Sequence, residues 1–473
     1  MPTDTHGCVR YPIPWSDVTR SRAEDPPKAA LAGLAGTASQ RRDLLVWVAI
    51  ALAGLGLTAI AVRTGAHLGT ASAPFLGRYG LSLGLATILA PIVAGVVLFG
   101  ALRVGHNGAT WFERAPFGRV LTLSYGASFL WCATLALVDG AAGFTRSLRS
   151  ASNYLTDVPA VGDDPGAYLR TFVADAAGHS VAARGHPPGP VLLLWWFERL
   201  GLTDRLALGV ALTAVGAVLV PVVLAAVRGV CGDLAARRYA PVLILAPYAV
   251  WVAVSAEVVV AVLGAVAVLA AVRASDAHRS GLRAAGWALG SGLLLGLAAL
   301  FSYAAPWLGL SAVCLYFARR RAFLNVATGL GALVPVLAAR AAGFSWFGGL
   351  LAARTDYATR VEPHRSVLWW SALSLVALVV ACGPALIASA RKIRRTPGWP
   401  FLVGAGAAVV VSLAAGLARG GVEAAWLPFF PWLTVAAIAP HRQGPGSEPT
   451  PLLLVAVGAL TAVIIEAVLA TPW

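Results

Sequence analysis

Residues 135–196 read LALVDGAAGFTRSLRSASNYLTDVPAVGDDPGAYLRTFVADAAGHSVAARGHPPGPVLLLWW. An apolar run closes on Asp139, a long polar stretch follows, and His186-Pro187-Pro188-Gly189 leads the chain back into the apolar run from Val191. A polar loop of this length amid short ones usually has a function. Its surroundings decide the class. Apolar runs long enough to cross a hydrocarbon layer of ~30 Å, which takes ~20 residues of helix, recur from Asp43 to the C-terminus. They are too continuous for the alternating strands of a membrane barrel.

Composition agrees. Hydrophobic residues make up 58% of the chain and charged ones 12%, with a mean hydropathy of +0.76, values foreign to a soluble enzyme. The expected fold is all-α, a polytopic bundle of about 13 passages by the length criterion. They begin near Leu44, Leu81, Val120, Leu206, Ala240, Val258, Ala284, Trp307, Phe323, Val367, Phe401, Ala425 and Leu452. Pro247 and Glu257 inside the run from Ala240 to Ala271 argue for two short helices meeting near Ser255. Residues 1–40, rich in proline and mixed charge, read as a disordered cytoplasmic tail ahead of a membrane domain over 41–473.

Basic residues set the expected sidedness. Arg41 and Arg42, Arg103 with Arg114 and Arg119, Arg228 with Arg237 and Arg238, Arg273 with Arg279 and Arg283, Arg319 to Arg321, and Arg391 to Arg395 fall in alternate loops. The positive-inside rule then puts the N-terminus in the cytoplasm of a cell-membrane protein. Loop 139–186, loop 341–366 and the turn 416–423 share the outer side. These clusters also account for most of the net charge of +15, so nucleic acid is not an expected partner; membrane lipid is. The five cysteines show no metal-ligand spacing.

Within the outer loop, Asp139 ends a membrane helix, where a carboxylate must be hydrated, paired or functional. It reads either as a solvated helix end or as a general base activating an acceptor hydroxyl. Asp163-Asp164-Pro165 reads equally as a helix cap and as a pair of acids that bind a divalent cation or orient sugar hydroxyls. The segment 167–177 places Leu169, Phe172, Val173 and Ala176 on one face, as an amphipathic helix on the membrane would. His186 stands at a rigid corner as a candidate donor. Arg360, His364 and Arg365 of the second loop could bind a phosphodiester, and Arg419, paired with Glu423, could grip a phosphate.

An apolar helix ending in Asp, an outer loop with Asp163, Asp164 and Tyr168, an amphipathic segment, and then His186-Pro187-Pro188 resemble the first outer loop of the GT-C membrane glycosyltransferases. The likeness is to the branches containing dolichyl-phosphate mannosyltransferases and lipid A aminoarabinose transferases. The chain is also similar to multi-span proteins of high-GC bacteria with an HPPG element and a segment like Trp426-Leu427-Pro428-Phe429-Phe430-Pro431-Trp432. The family's loop usually follows the first span, whereas here two spans precede it, and many relatives have Asp-Glu where this chain has Asp163-Asp164.

The resemblance implies an enzyme of cell-envelope biogenesis. It would move a sugar, with inversion, from a polyprenyl-phosphate donor to a glycan or glycolipid acceptor. Asp139, Asp163 or Asp164 would act as base; Tyr168, His186, Arg360, His364, Arg365, Arg419 and Glu423 would bind substrate. Rival readings are a transporter or flippase of a lipid-linked sugar, and a noncatalytic scaffold. Transporters tend to carry polar residues at mid-membrane on broken helices, whereas here the polar residues crowd one side.

Overall fold

The computed structural model of the chain describes residues 34–104, 108–417, 419–440 and 447–471. Most of the tail expected over residues 1–40 lies outside these residues, and its end, from Ala38, is already helical.

In chain order the helices that frame the site and the bundle are α1 Ala38–Arg63, α2 Ala86–Leu102, α3 Phe117–Asp139, α4 Pro165–Thr171, α5 Gly189–Arg199, α6 Arg205–Cys231, α7 Asp233–Ile244 and α8 Glu257–Ala274. They continue as α9 Gly281–Ala299, α10 Trp307–Ala318, α11 Leu324–Ala341, α12 Trp346–Arg360, α13 Val367–Cys382, α14 Trp399–Ala414 and α15 Leu452–Val468. Among the described residues, six (α1, α3, α6, α8, α9 and α11) are long and apolar enough to cross a membrane. The segment of α12 bends by 100° into α13, and α2, α10, α14 and α15 are shorter apolar helices. The protein is an all-α, multi-pass membrane bundle. Leu45, Leu52, Leu55 and Ile60 of α1 stand exposed, an apolar surface suited to lipid.

The other two expected passages, from Ala240 and Ala425, are not continuous helices. The first is α7 followed by a 3-10 turn, Pro247–Trp251; the second is Val422–Ala425, Phe430–Leu433 and Val435–Ile438. Prolines at 247, 428 and 431 remove backbone donors and break the helices. Both segments are almost wholly buried and pack together. Tyr239 shares a hydrogen bond of 2.6 Å with Thr434, and the Tyr248 and Phe430 rings lie 5.8 Å apart. Irregular backbone at membrane depth is tolerated where protein covers it.

Small residues let the remaining helices close up. A side chain at Gly292 or Gly296 of α9 would collide with the carbonyls of Thr328 and Ala332 on α11, and one at Gly331 with that of Leu289. This is close packing through glycines four apart.

The contacts gather the loops into two groups. At one end Arg391 holds Asp43 through two bonds of 2.9 and 2.7 Å. There too Lys392 pairs with Glu448 and Arg238 with Glu113. At the other, Ser366 donates to the His67 carbonyl at 2.9 Å, Arg184 meets Asp356 at 3.2 Å, and the Leu76 amide donates to Glu423 at 2.8 Å.

The loop helix departs from expectation. It stops at Thr171, short of the amphipathic segment read over 167–177. Tyr168 and Phe172 pack on His179, and Phe172 also on Phe344. Protein, not membrane, covers this apolar face.

Candidate functional site

The helix break near Ser255 puts an acid where the long loop can reach it. Val254 takes a left-handed backbone at φ 63°, and the Ser255 hydroxyl accepts the Glu257 amide at 3.2 Å, so α8 starts at Glu257. From the loop, Asn153 caps the turn Tyr154–Thr156 through the Leu155 amide at 3.1 Å. That aims the Tyr154 hydroxyl at Glu257 Oε1, to which it donates at 2.8 Å. Ser255 Oγ donates to Oε2 at 3.1 Å.

His186 completes the group. Its ring lies edge-on to Tyr154 with centroids 5.7 Å apart, and Nε2 is 3.8 Å from Glu257 Oε1. Nδ1 faces the Ala182 carbonyl at 2.9 Å. A carbonyl only accepts, so Nδ1 carries a proton and Nε2 is the nitrogen turned toward Glu257. Burial, then the Glu257 charge, push the Tyr154 hydroxyl well above its ordinary range, and it stays a donor. Glu257 and His186 keep side-chain exposures of 16% and 27%.

A second pair braces the loop. Asp157 accepts the Ser180 amide at 3.0 Å and lies 3.4 Å from His179 Nδ1. The His179 Nε2 bonds the Phe172 carbonyl at 3.1 Å. Burial alone would raise Asp157, but hydrogen bonds from His179 and Ser180 outweigh it and hold its carboxyl low. The bond to Asp157 raises His179. Tyr168 is buried against this pair, and burial raises its hydroxyl too.

The three acids read from the sequence lie in different settings. Asp139 is sheltered, its side chain 7% exposed, and paired with Arg146 at 2.6 Å. Asp163 is 94% exposed and bound by Arg199. Asp164 caps α4 by accepting the Ala167 amide at 2.9 Å and meets Arg170 at 3.3 Å. The capping bond, followed by the Arg170 charge, holds its carboxyl below the usual range against a small opposing effect of burial.

The second loop lies beside His186. Asp356 of α12 joins Arg184 at 3.2 Å and Arg360 at 2.9 Å, and Arg184 is two residues from His186. His364 is exposed. Arg419 is buried. Nη1 donates to the carbonyls of Glu362 and Arg365 at 3.1 and 3.2 Å, and Nη2 lies 3.7 Å from the Glu362 carboxylate. Arg365 donates to the Arg419 carbonyl and lies 5.6 Å over Trp370. Glu423 is fully buried and holds the Leu76 amide. This group stitches residues 67–76, 362–366 and 419–423 together.

The structure thus unites His186 with Glu257 and Tyr154, and Arg360 with Arg184 through Asp356. Asp163 and Asp164 stand apart at the loop tip. Glu257 was legible as an acid in an apolar run; Tyr154, Arg184 and the Asp157–His179 pair carried no sequence signal. Among the described residues no three His, Cys, Asp or Glu side chains gather around a point that could hold a metal ion. Chemically, the Glu257 group can take a proton from a hydroxyl, and the neighbouring guanidiniums can face an anion.

No protein-family model matches the chain, and no curated protein matches it. Among solved structures it is similar to the crystal structure of ArnT from Cupriavidus metallidurans bound to undecaprenyl phosphate, at a TM-score of 0.41 and 17% sequence identity. The match covers 68% of this chain and 58% of that one, so the chain spans under two thirds of that protein's length.

Proposed function

We propose that the chain is a membrane glycosyltransferase that takes a sugar from a polyprenyl-phosphate carrier and gives it to an envelope glycan or glycolipid on the extracytoplasmic side. The observation that carries the reading is the Glu257 carboxylate at the floor of the long loop, hydrogen-bonded to Tyr154 and 3.8 Å from His186. The loop's resemblance to the first outer loop of GT-C enzymes supplies the donor class. The arginine pattern supplies the side.

Glu257 takes the proton of the acceptor hydroxyl as its oxygen attacks the anomeric carbon. The bond from that carbon to the phosphate oxygen breaks, and the electron pair leaves with the lipid phosphate. Arg184 and Arg360, with His364 and Arg365 on the same side, stabilise the leaving charge. Direct displacement inverts the anomeric centre. Asp139, held by Arg146, is a second sheltered carboxylate for the acceptor, while Asp163 and Asp164 shape the loop tip.

The test is purified protein in lipid with radiolabelled polyprenyl-phosphate sugars and envelope acceptors. Transfer with release of polyprenyl phosphate supports the reading. Movement of intact lipid-linked sugar between leaflets, without transfer, would replace it with a flippase.

A further inference from the structure

We infer that the basic end of the bundle carries a binding site for a phosphate-bearing anion. A cavity of about 620 Å³ lies where the C-terminal ends of α6, α8 and α10 meet, and its walls carry Arg228, Arg273, Arg319 and Arg321 with Asp276 and Ser275. The volume falls in the range of small-molecule pockets.

The guanidiniums are held without being fully neutralised. Arg319 donates to the Val272 carbonyl at 3.2 Å, to Ser275 Oγ at 3.0 Å and to the Gly229 carbonyl. Arg321 donates to the carbonyls of Arg279 and Ala277, the latter at 3.3 Å. Carbonyls aim a guanidinium but bring only a partial charge. Arg228 has a carboxylate, Asp233 at 2.7 Å, and lies 4.3 Å over the Phe117 ring. Four cations thus face the carboxylates of Asp233 and Asp276, and the surplus is positive.

Sidedness alone asks for arginines in these loops, not for several of them aimed around one cavity. Planar guanidiniums match phosphate oxygens two at a time. Basic pockets between membrane helices on this side take anionic lipid headgroups, and a free phosphate would use the same groups. The site lies at the opposite end from the Glu257 group and does not depend on its assignment.

The test uses the full chain in phosphatidylcholine nanodiscs. One arm titrates inorganic pyrophosphate; the other replaces part of the lipid with phosphatidylglycerol. The expected result is saturable binding in at least one arm, weakened about tenfold by loss of one charge-assisted contact in Arg321→Gln and in Arg273→Gln. A response to pyrophosphate assigns a soluble anion, and a response to phosphatidylglycerol alone assigns a headgroup. If Arg321→Gln does not fold, Arg273→Gln, an exposed position, decides. Unchanged binding in that variant in both arms, or no saturable binding by wild type, overturns the proposal.

Discussion

Asp163-Asp164 and Glu257 are carboxylates on the same side of this bundle, yet the chain treats them in opposite ways. The doublet stands in solvent, one acid bound by Arg199 and the other capping α4. Glu257 sits at the floor of the loop with Tyr154, Ser255 and His186 turned toward it. A charge in water interacts weakly with its neighbours, whereas the same charge in a sheltered site interacts strongly with any group placed beside it. The difference teaches that an acid pair conspicuous in sequence can be spent on a cap and a surface ion pair, while a single acid in an apolar run gathers polar partners from distant segments.

The largest effect short of removing Glu257 itself should come from Tyr154→Phe. It deletes a charge-assisted bond worth ~1.5–3 kcal/mol, so sugar transfer should fall about 10- to 100-fold with the fold retained. A wild-type rate in this variant would separate Tyr154 from the chemistry and weaken the contrast with the doublet.

Arg419→Lys comes next and sharpens the comparison from the structural side. Its guanidinium bonds the Glu362 and Arg365 carbonyls, a geometry an ammonium cannot copy. The expected loss is ~1–3 kcal/mol of stability, seen as a lower melting temperature with donor affinity unchanged. Weaker donor binding at unaltered stability would restore the phosphate-gripping role expected from the sequence.

The Asp157–His179 pair predicts a smaller, pH-dependent effect. His179 is raised in the fold, so its contribution is complete below its unfolded value of ~6.5 and is lost as pH rises through the folded one. Asp157 is lowered, so its contribution is complete above ~3.9 and is lost as pH falls through its folded value. Protease cleavage within residues 139–186 should therefore be slowest between about pH 4 and 6.5 and faster on both sides. His179→Gln should abolish the alkaline limb; cleavage independent of pH in wild type would show that the pair does not brace the loop.

Asp164→Ala should do least. The acid is solvent-exposed and its main bond is a cap, so transfer should stay within about twofold of wild type. A larger loss would return the doublet to the active site.

Most of the architecture was legible in local signals. Apolar runs located most of the long helices, and Pro247 with Glu257 marked the broken run that ends at Ser255. Hydropathy says little about helix continuity inside protein, which is why the passages from Ala240 and Ala425 read as spans and fold as short buried pieces. The end of α4 was also hidden, because an apolar face looks the same whether lipid or Phe344 covers it. The site was legible only in part. His186 and Glu257 stood out singly, but Tyr154 and Glu257 lie 103 residues apart, and no periodicity reports a contact across that distance. Arg419 was read beside its sequence neighbour Glu423, and its contacts with Glu362 and Arg365 of another loop left no trace in the sequence.

The most direct measurement compares transfer from a polyprenyl-phosphate sugar by wild type, Glu257→Gln and the double variant Asp163→Asn/Asp164→Asn, each purified in lipid and matched for melting temperature. Loss of a general base costs ~100-fold or more, so Glu257→Gln should fall at least that far while the double variant stays close to wild type. Full activity in Glu257→Gln with loss in the double variant would contradict the account and place the chemistry at the loop tip.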